Sequence, residues 1–279
     1  MSTIKTFLAA GTAMMGLAAS AGGSTPWTYD AADDHIGRIY YYERTNTDGS
    51  LDERVTVYRR SATQLEVYKE NGLCYNAALV TAELDLSTLS AHTITGGQLQ
   101  PNAEHVEFAF LTTNEEGSQV DMLVQLPDVE IREDAEIGNE HWHLFDFDLA
   151  SFTVATPHLD NPAAGFGFGM ALLWADSSSV DPLFWMGEVE AAHTGSVSHL
   201  GHRTERYALT GSAFEWEGAS GTQGQLWLDA DEGHVVDAIF PAPNHPGYTD
   251  FRLRLLHVSD GGDVEWTALL TRHFEACGN

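Results

Sequence analysis

Positive charge is what this chain lacks. Lysine occurs only at Lys5 and Lys69, and eleven arginines are the other cations, against 41 aspartates and glutamates, for a formal charge of −28 over 279 residues. A polyanion repels phosphate, so no nucleic-acid partner is expected. Attraction to anionic lipid headgroups is excluded on the same ground.

Long hydrophobic runs are also missing. The apolar stretch Phe7–Ala19 falls short of the roughly 20 residues that cross a bilayer as a helix, so no transmembrane span is expected. It has instead the build of a secretory signal. Lys5 is the only charge before it, and Ala19-Ser20-Ala21 supplies the small-x-small cleavage pattern. Residues 1–21 are therefore predicted as a signal peptide, with the mature chain starting near Gly22. No cysteine follows the cleavage point and no Arg-Arg pair precedes the run. These features predict an exported protein, periplasmic or extracellular, soluble and not lipid-anchored.

Cysteine is scarce too. Cys74 and Cys277 are the only two, and neither lies in a Cys-x-x-Cys motif. A thiolate metal site is thus a poor reading, and in an exported chain the pair is expected to be disulfide-bonded. Two buried thiols are the alternative.

What the chain does have is apolar material, 43% of it, arranged with period two between turn residues. Arg38, Tyr40 and Tyr42 alternate with Ile39, Tyr41 and Glu43, and Asp48-Gly49 is a hairpin signal before Val55 and Val57. Leu65, Val67 and Lys69 mark a third strand that ends at Asn71-Gly72. Ala78 to Leu84 reads as a fourth. Thr95–Leu99 reads as a turn centred on Gly96-Gly97. Val106, Phe108 and Phe110, then Val120, Met122, Val124 and Leu126, continue the meander. The pattern breaks over about 128–163, where 128–140 reads as acidic and irregular and Asp148 reads as the cap of a short helix ending before Pro157. Later strands are predicted near 183–193, 203–211, 224–229, 234–240, 249–258 and 263–273. The fold class is mostly β. One domain over 22–279 forms a large curled antiparallel sheet, a half-barrel or barrel with few helices. A two-sheet sandwich is the alternative.

Four features bear on chemistry. In Gly165–Trp174, the side chains Phe166, Phe168, Met170, Leu172 and Trp174 share one face of a strand, and Gly165, Gly167, Gly169 and Ala171 share the other. Glycine inside a strand marks close approach by another element or a ligand. Phe166, Phe168, Met170 and Trp174, extended by Trp185, are the candidate wall of an apolar ligand groove; a plain core strand is the competing reading. His141 and His143 sit at i and i+2, which on a strand points both rings the same way and begins a metal site if His193, His199 or His202 supplies a third ligand. The loop Pro241–Tyr248 is stiffened by three prolines and offers Asn244 and His245. Asp229–Gly233 has calcium-loop residue types but the wrong glycine position, and reads as a hairpin turn. No nucleophile elbow or phosphate-cradling glycine motif is present, and no cofactor is expected.

The hairpin Gly224–Asp229, turning through Gly233 into His234-Val235-Val236, resembles a recurring element of the half-barrel proteins of the bacterial envelope. So does the early set Tyr40–Arg44, Asp48-Gly49 and Val55–Tyr58. That group includes the lipoprotein-localisation carriers and their exported relatives. The resemblance implies a curved antiparallel sheet, lidded by helices, that binds acyl chains or other apolar ligands. The resulting expectation is a non-enzymatic binding or carrier protein for an apolar small molecule or lipid. An exported hydrolase or lyase with a metal at His141/His143, and an envelope interaction module, are the other classes the sequence leaves open.

Overall fold

Period-two alternation becomes one sheet. The computed structural model describes residues 27–174, 181–275 and 277, so the expected signal segment 1–21 lies outside the described residues. Among the described residues there are fifteen strands: β1 (Ile39–Thr45), β2 (Glu53–Arg59), β3 (Gln64–Glu70), β4 (Ala77–Asp85), β5 (Ser90–Gln100), β6 (Glu104–Thr113), β7 (Gln119–Leu126), β8 (Val129–Glu136), β9 (Trp142–Leu144), β10 (Phe166–Leu173), β11 (Leu183–His199), β12 (His202–Thr210), β13 (Gly224–Asp229), β14 (Val235–Phe240) and β15 (Phe251–Ser259). All belong to one sheet in the order 8-7-6-5-4-3-2-1-15-14-13-12-11-10-9. Every pairing is antiparallel except β9 with β10. The chain steps outward from β1 to β8, crosses in five residues to the opposite edge, and steps back until β15 lies against β1. The sheet is not closed, and the sandwich alternative does not apply.

The curl follows from what both halves touch. Helix α1 (Ala150–Ala155) and the aromatic turns around it, residues 145–159, are almost entirely buried. Phe145 packs 5.3 Å from Phe240 on β14 and 5.0 Å from Phe251 on β15. Phe152 lies 4.6 Å from Phe168 on β10, and Lys69 of β3 reaches Asp148 at 2.6 Å. Only a sheet wrapped around this segment brings β3, β10, β14 and β15 to it at once. The main core is therefore the concave face plus an internal plug. Helix α2 (Gly262–Glu275) covers the convex face of β1–β5 with Trp266 and Leu270, and Trp266 stacks on Tyr58 at 5.3 Å. Its C-terminal end is tied down by the expected disulfide, Cys74–Cys277, with Cα atoms 5.4 Å apart.

Three expectations are corrected. Residues 263–273 belong to α2, not to a strand. Trp266, Leu270 and His273 recur at helical spacing on the buried face, with Asp263 and Glu265 in the first turn and Arg272 and His273 in the last, as the helix dipole favours. Gly96-Gly97 is a bulge inside β5 and not a turn. A Cβ at Gly97 would collide with His105 and with the Val106 carbonyl on β6. Residues 129–136 form a regular strand with nearly every side chain exposed; Val129, Ile131 and Ala135 share one side, but Glu133 interrupts that alternation among acidic neighbours.

Candidate functional site

The strand β10 shows where the proposed apolar wall goes. Phe166, Phe168 and Met170 point into the concave interior and are 6%, 0% and 0% exposed. They pack against the plug, Phe152 being the common neighbour of Phe166 and Phe168. Trp174 lies just past the strand end, half-buried against Trp216 at 5.6 Å. Trp185 is on the other face. The register of β10 with β11 slips between Met170 and Ala171, and the Trp185 ring lies where a Gly169 Cβ would stand. The glycine-backed side of the strand thus receives an indole from its neighbour. Three of the five residues are brought together inside, one sits beyond the strand end, and one lies behind.

His141 and His143 flank Trp142 on β9 and are both buried. The His143 Nδ1 is 3.0 Å from Ser151 Oγ, and His141 Nδ1 is 2.6 Å from the Thr88 carbonyl. Burial pushes the His143 imidazole down to about 3, and proximity to His141 adds to this. The suggested third ligands are engaged elsewhere: His193 with Glu205 at 2.6 Å, His199 with Asp237 at 2.8 Å and His202 with Asp229 at 3.0 Å.

The feature that sequence reasoning missed is a buried ionic clamp on the plug. Asp148, fully buried, does not cap α1; the N-cap is Leu149 and makes no side-chain cap hydrogen bond. The Asp148 carboxylate instead meets Lys69 Nζ at 2.6 Å and lies 3.7 Å from Arg44 Nε. Asn244 Nδ2 donates to Asp148 Oδ1 at 2.6 Å and to the Phe145 carbonyl at 3.0 Å, and Arg44 donates to Asn244 Oδ1. Arg44 also lies over the Tyr248 ring at 3.4 Å and is 3.6 Å from Glu53. Burial alone would raise the Asp148 carboxyl, but Lys69 and Arg44 outweigh it and hold it below the usual carboxylate range. Both Asp148 and Leu149 have positive φ, 50° and 58°, without being glycine. Desolvating two cations and two anions is costly, and strained backbone persists only where its surroundings over-determine it. The loop residue Asn244, a sequence candidate for binding, is the hub of this clamp. The pairing of Lys69, Arg44 and Asp148 across three distant stretches leaves no local motif to read.

Asp146, in the same segment, has the opposite problem. Its Oδ1 is buried without a partner among the described residues. Burial pushes its carboxyl up to about 7, with Lys69 pulling the other way. The folded protein then keeps this proton from about pH 4 to 7 while the unfolded chain has lost it. The native state binds more protons in that window, so this group's contribution to stability falls as pH rises through it. Asp146→Asn is expected to raise stability at pH 7 by on the order of 2 kcal/mol and to add little at pH 4. Urea denaturation of both proteins between those pH values reads the difference; a variant gain that does not depend on pH would refute the assignment.

No protein-family model matches the chain, and no curated protein matches it. Among solved structures, the hypothetical lipoprotein YmcC from Escherichia coli (K12) aligns at 8% identity over 80% of this chain and 88% of its own, with a TM-score of 0.29. A DUF1329 family protein from Desulfovibrio piger aligns at 8% identity over 84% and 88%, with a TM-score of 0.25. A putative outer membrane lipoprotein-sorting protein domain from Vibrio parahaemolyticus aligns at 11% identity over 86% and 94%, with a TM-score of 0.22. The first and third of these proteins are described as a lipoprotein and as a lipoprotein-sorting protein domain. Likeness at such scores carries no argument about activity.

Proposed function

We propose that the chain is an exported, non-enzymatic binding or carrier protein for an acyl-chain-like ligand. Its site is the concave interior lined by Phe166, Phe168 and Met170, and residues 145–159 occupy that site when no ligand is bound. The observation that carries this reading is the way the interior is filled. Phe145, Phe147, Leu149 and Phe152 fill it from a segment that leaves the sheet after β9 and rejoins it at β10, and each is at most 2% exposed. That segment is held by the ionic clamp at Asp148, and a row of aromatic and aliphatic side chains in an apolar trough is the shape and chemistry an acyl chain would replace. Export is supported by the Phe7–Ala19 run, with the mature chain starting near Gly22, and by the disulfide, which suits an oxidising compartment. Binding of this kind needs no cofactor.

A fluorescent fatty-acid titration tests the reading. Wild-type protein should bind the probe saturably, and Asn244→Ala, which removes three hydrogen bonds from the clamp, should bind it more tightly because the plug is easier to displace. Organic extraction of protein from its native host should release a stoichiometric lipid. If neither wild type nor Asn244→Ala takes up the probe, while both remain folded by circular dichroism, the interior is a core and the carrier reading is wrong.

A further inference from the structure

A second constellation lies at one end of three neighbouring strands, outside the interior. His202 opens β12, Asp229 closes β13, and His234 immediately precedes β14. The register places Thr204 opposite Asp229 and Leu228 opposite Val235, so the three residues converge although they are spread over 33 positions of sequence. One donor atom from each side chain lies within 4.8 Å of the other two.

The carboxylate is already oriented. Asp229 Oδ1 accepts the backbone N–H groups of Asp231 at 2.9 Å and Glu232 at 3.0 Å, which leaves Oδ2 facing His202 Nδ1 at 3.0 Å. The turn that carries it is fixed in place. Gly233 has φ +77°, and a Cβ there would stand 2.6 Å from Pro157 Cα. Support of this kind is what orients metal-binding carboxylates.

His234 is the independent observation. It is 1% exposed, and among the described residues neither Nδ1 nor Nε2 has a hydrogen-bond partner. The nearest carboxylate, Glu232, stands 3.6 Å from Nδ1 and is engaged by Arg38 at 2.7 Å. The ring is held between Tyr40, at 5.3 Å, and His202, at 6.3 Å edge to face. A buried imidazole with two unsatisfied nitrogens is costly, and imidazoles rarely remain so. A cation coordinated by one nitrogen removes that cost at the place where two other ligands already meet.

We propose that His202, Asp229 and His234 form a three-ligand site for a divalent transition-metal cation of the zinc class. Two imidazoles and one carboxylate suit zinc, cobalt, nickel or copper and disfavour calcium and magnesium, which take oxygen ligands. Zinc bond lengths near 2.0–2.2 Å put ligand atoms about 3.3 Å apart. Three protein ligands leave a position for water or a further ligand. Asp229 also borders a cavity of about 160 Å³ that extends to Asp33 and His35. The other carboxylate–histidine cluster, Glu53, Asp148 and His245, is a poor counterpart. Lys69 and Arg44 already neutralise Asp148 there, and they would repel a dication.

Chelator-treated, tag-free protein titrated with Zn²⁺ by calorimetry, with excess Mg²⁺ present to saturate surface carboxylates, should bind one equivalent. His202→Ala, a half-exposed position, should weaken that binding by about 100-fold or more, since even the outer partners of a ligand are worth 10–100-fold. Co²⁺ should give a ligand-field absorption band in wild type that is lost in His202→Ala and in Asp229→Asn. His234→Ala should behave alike if it folds; the other two variants suffice if it does not. The proposal is overturned if no stoichiometric Zn²⁺ binding is seen. It is equally overturned if binding persists unchanged in His202→Ala and Asp229→Asn, which would mark it as adventitious binding to the acidic surface.

Discussion

Cys277→Ser is expected to lower stability by about 2–5 kcal/mol, the range for loss of a native bridge. The bridge joins residues 203 apart in sequence, and the chain-entropy account gives about 5 kcal/mol for a loop of that length as an upper bound. The effect should be concentrated in α2. Cys277 follows that helix, and Cys74 lies in the β3–β4 connection, where its backbone N–H donates to the His273 carbonyl at 3.2 Å. Without the covalent tie, α2 keeps the Trp266–Tyr58 stack and the Tyr41–Glu265 bond at 2.7 Å, so the convex face should fray from its C-terminal end and not detach. Urea denaturation of oxidised wild type, reduced wild type and the variant measures this. Unfolded, unreduced wild type should titrate with no free thiol. Coincident curves for all three proteins would show that the bridge contributes nothing to the folded state.

Phe168→Ala is the second large effect, at about 3–5 kcal/mol. Phe168 is fully buried, with Phe152 at 4.6 Å and His143 and Phe166 near 6 Å. The surrounding strands are hydrogen-bonded on both sides and cannot collapse into the space, so most of the cavity should remain. The same variant separates the two accounts of the interior. If the plug gives way to an acyl chain, probe affinity should fall at urea concentrations where the protein is still folded. If the interior is only a core, any probe signal should track the unfolded fraction alone. A stability loss well under 1 kcal/mol would mean the site relaxes freely and that the packing around Phe168 is not as tight as the ring separations imply.

Much of this architecture was legible because its grammar is local. Asp48-Gly49 and Asp231–Gly233 announced their hairpins, and alternating pairs such as Val55 with Val57 and Leu65 with Val67 announced which side faces inward. The disulfide followed from cysteine count and expected compartment. The failures have physical causes. Strand β8 carries a weak alternation, Val129, Ile131 and Ala135, which Glu133 interrupts and the acidic neighbours mask. Helix α2 buries a narrow stripe, Trp266, Leu270 and His273, too few residues to mark a helical period in the sequence. Phe166, Phe168 and Met170 share one buried face as strand alternation predicts, but the slip opposite Met170/Ala171 puts Trp185 on the other face, and alternation cannot foresee a bulge. Asp148 has the sequence position of a cap, since aspartate before a helix is usually one, yet Leu149 holds that place. Its actual partners, Lys69, Arg44 and Asn244, are set by which strands adjoin, as is the meeting of His202, Asp229 and His234.

The seam between β1 and β15 also sets the order in which the molecule can be built. Ile39 pairs with Ser259 and Thr45 with Arg252, so the first strand made waits for the last. As a chain emerges from its N-terminus, β2 to β8 each find a neighbour already present, while β1 keeps one flank of unpaired N–H and C=O groups until Phe251–Ser259 has appeared. Contacts this distant in sequence are slow to form, and an open flank is a template for another chain. A chain stopped before Phe251 would therefore carry two raw edges through the middle of its sheet, along β1 and along β14. Its fault would be adhesion to other copies, with most of its hairpins intact.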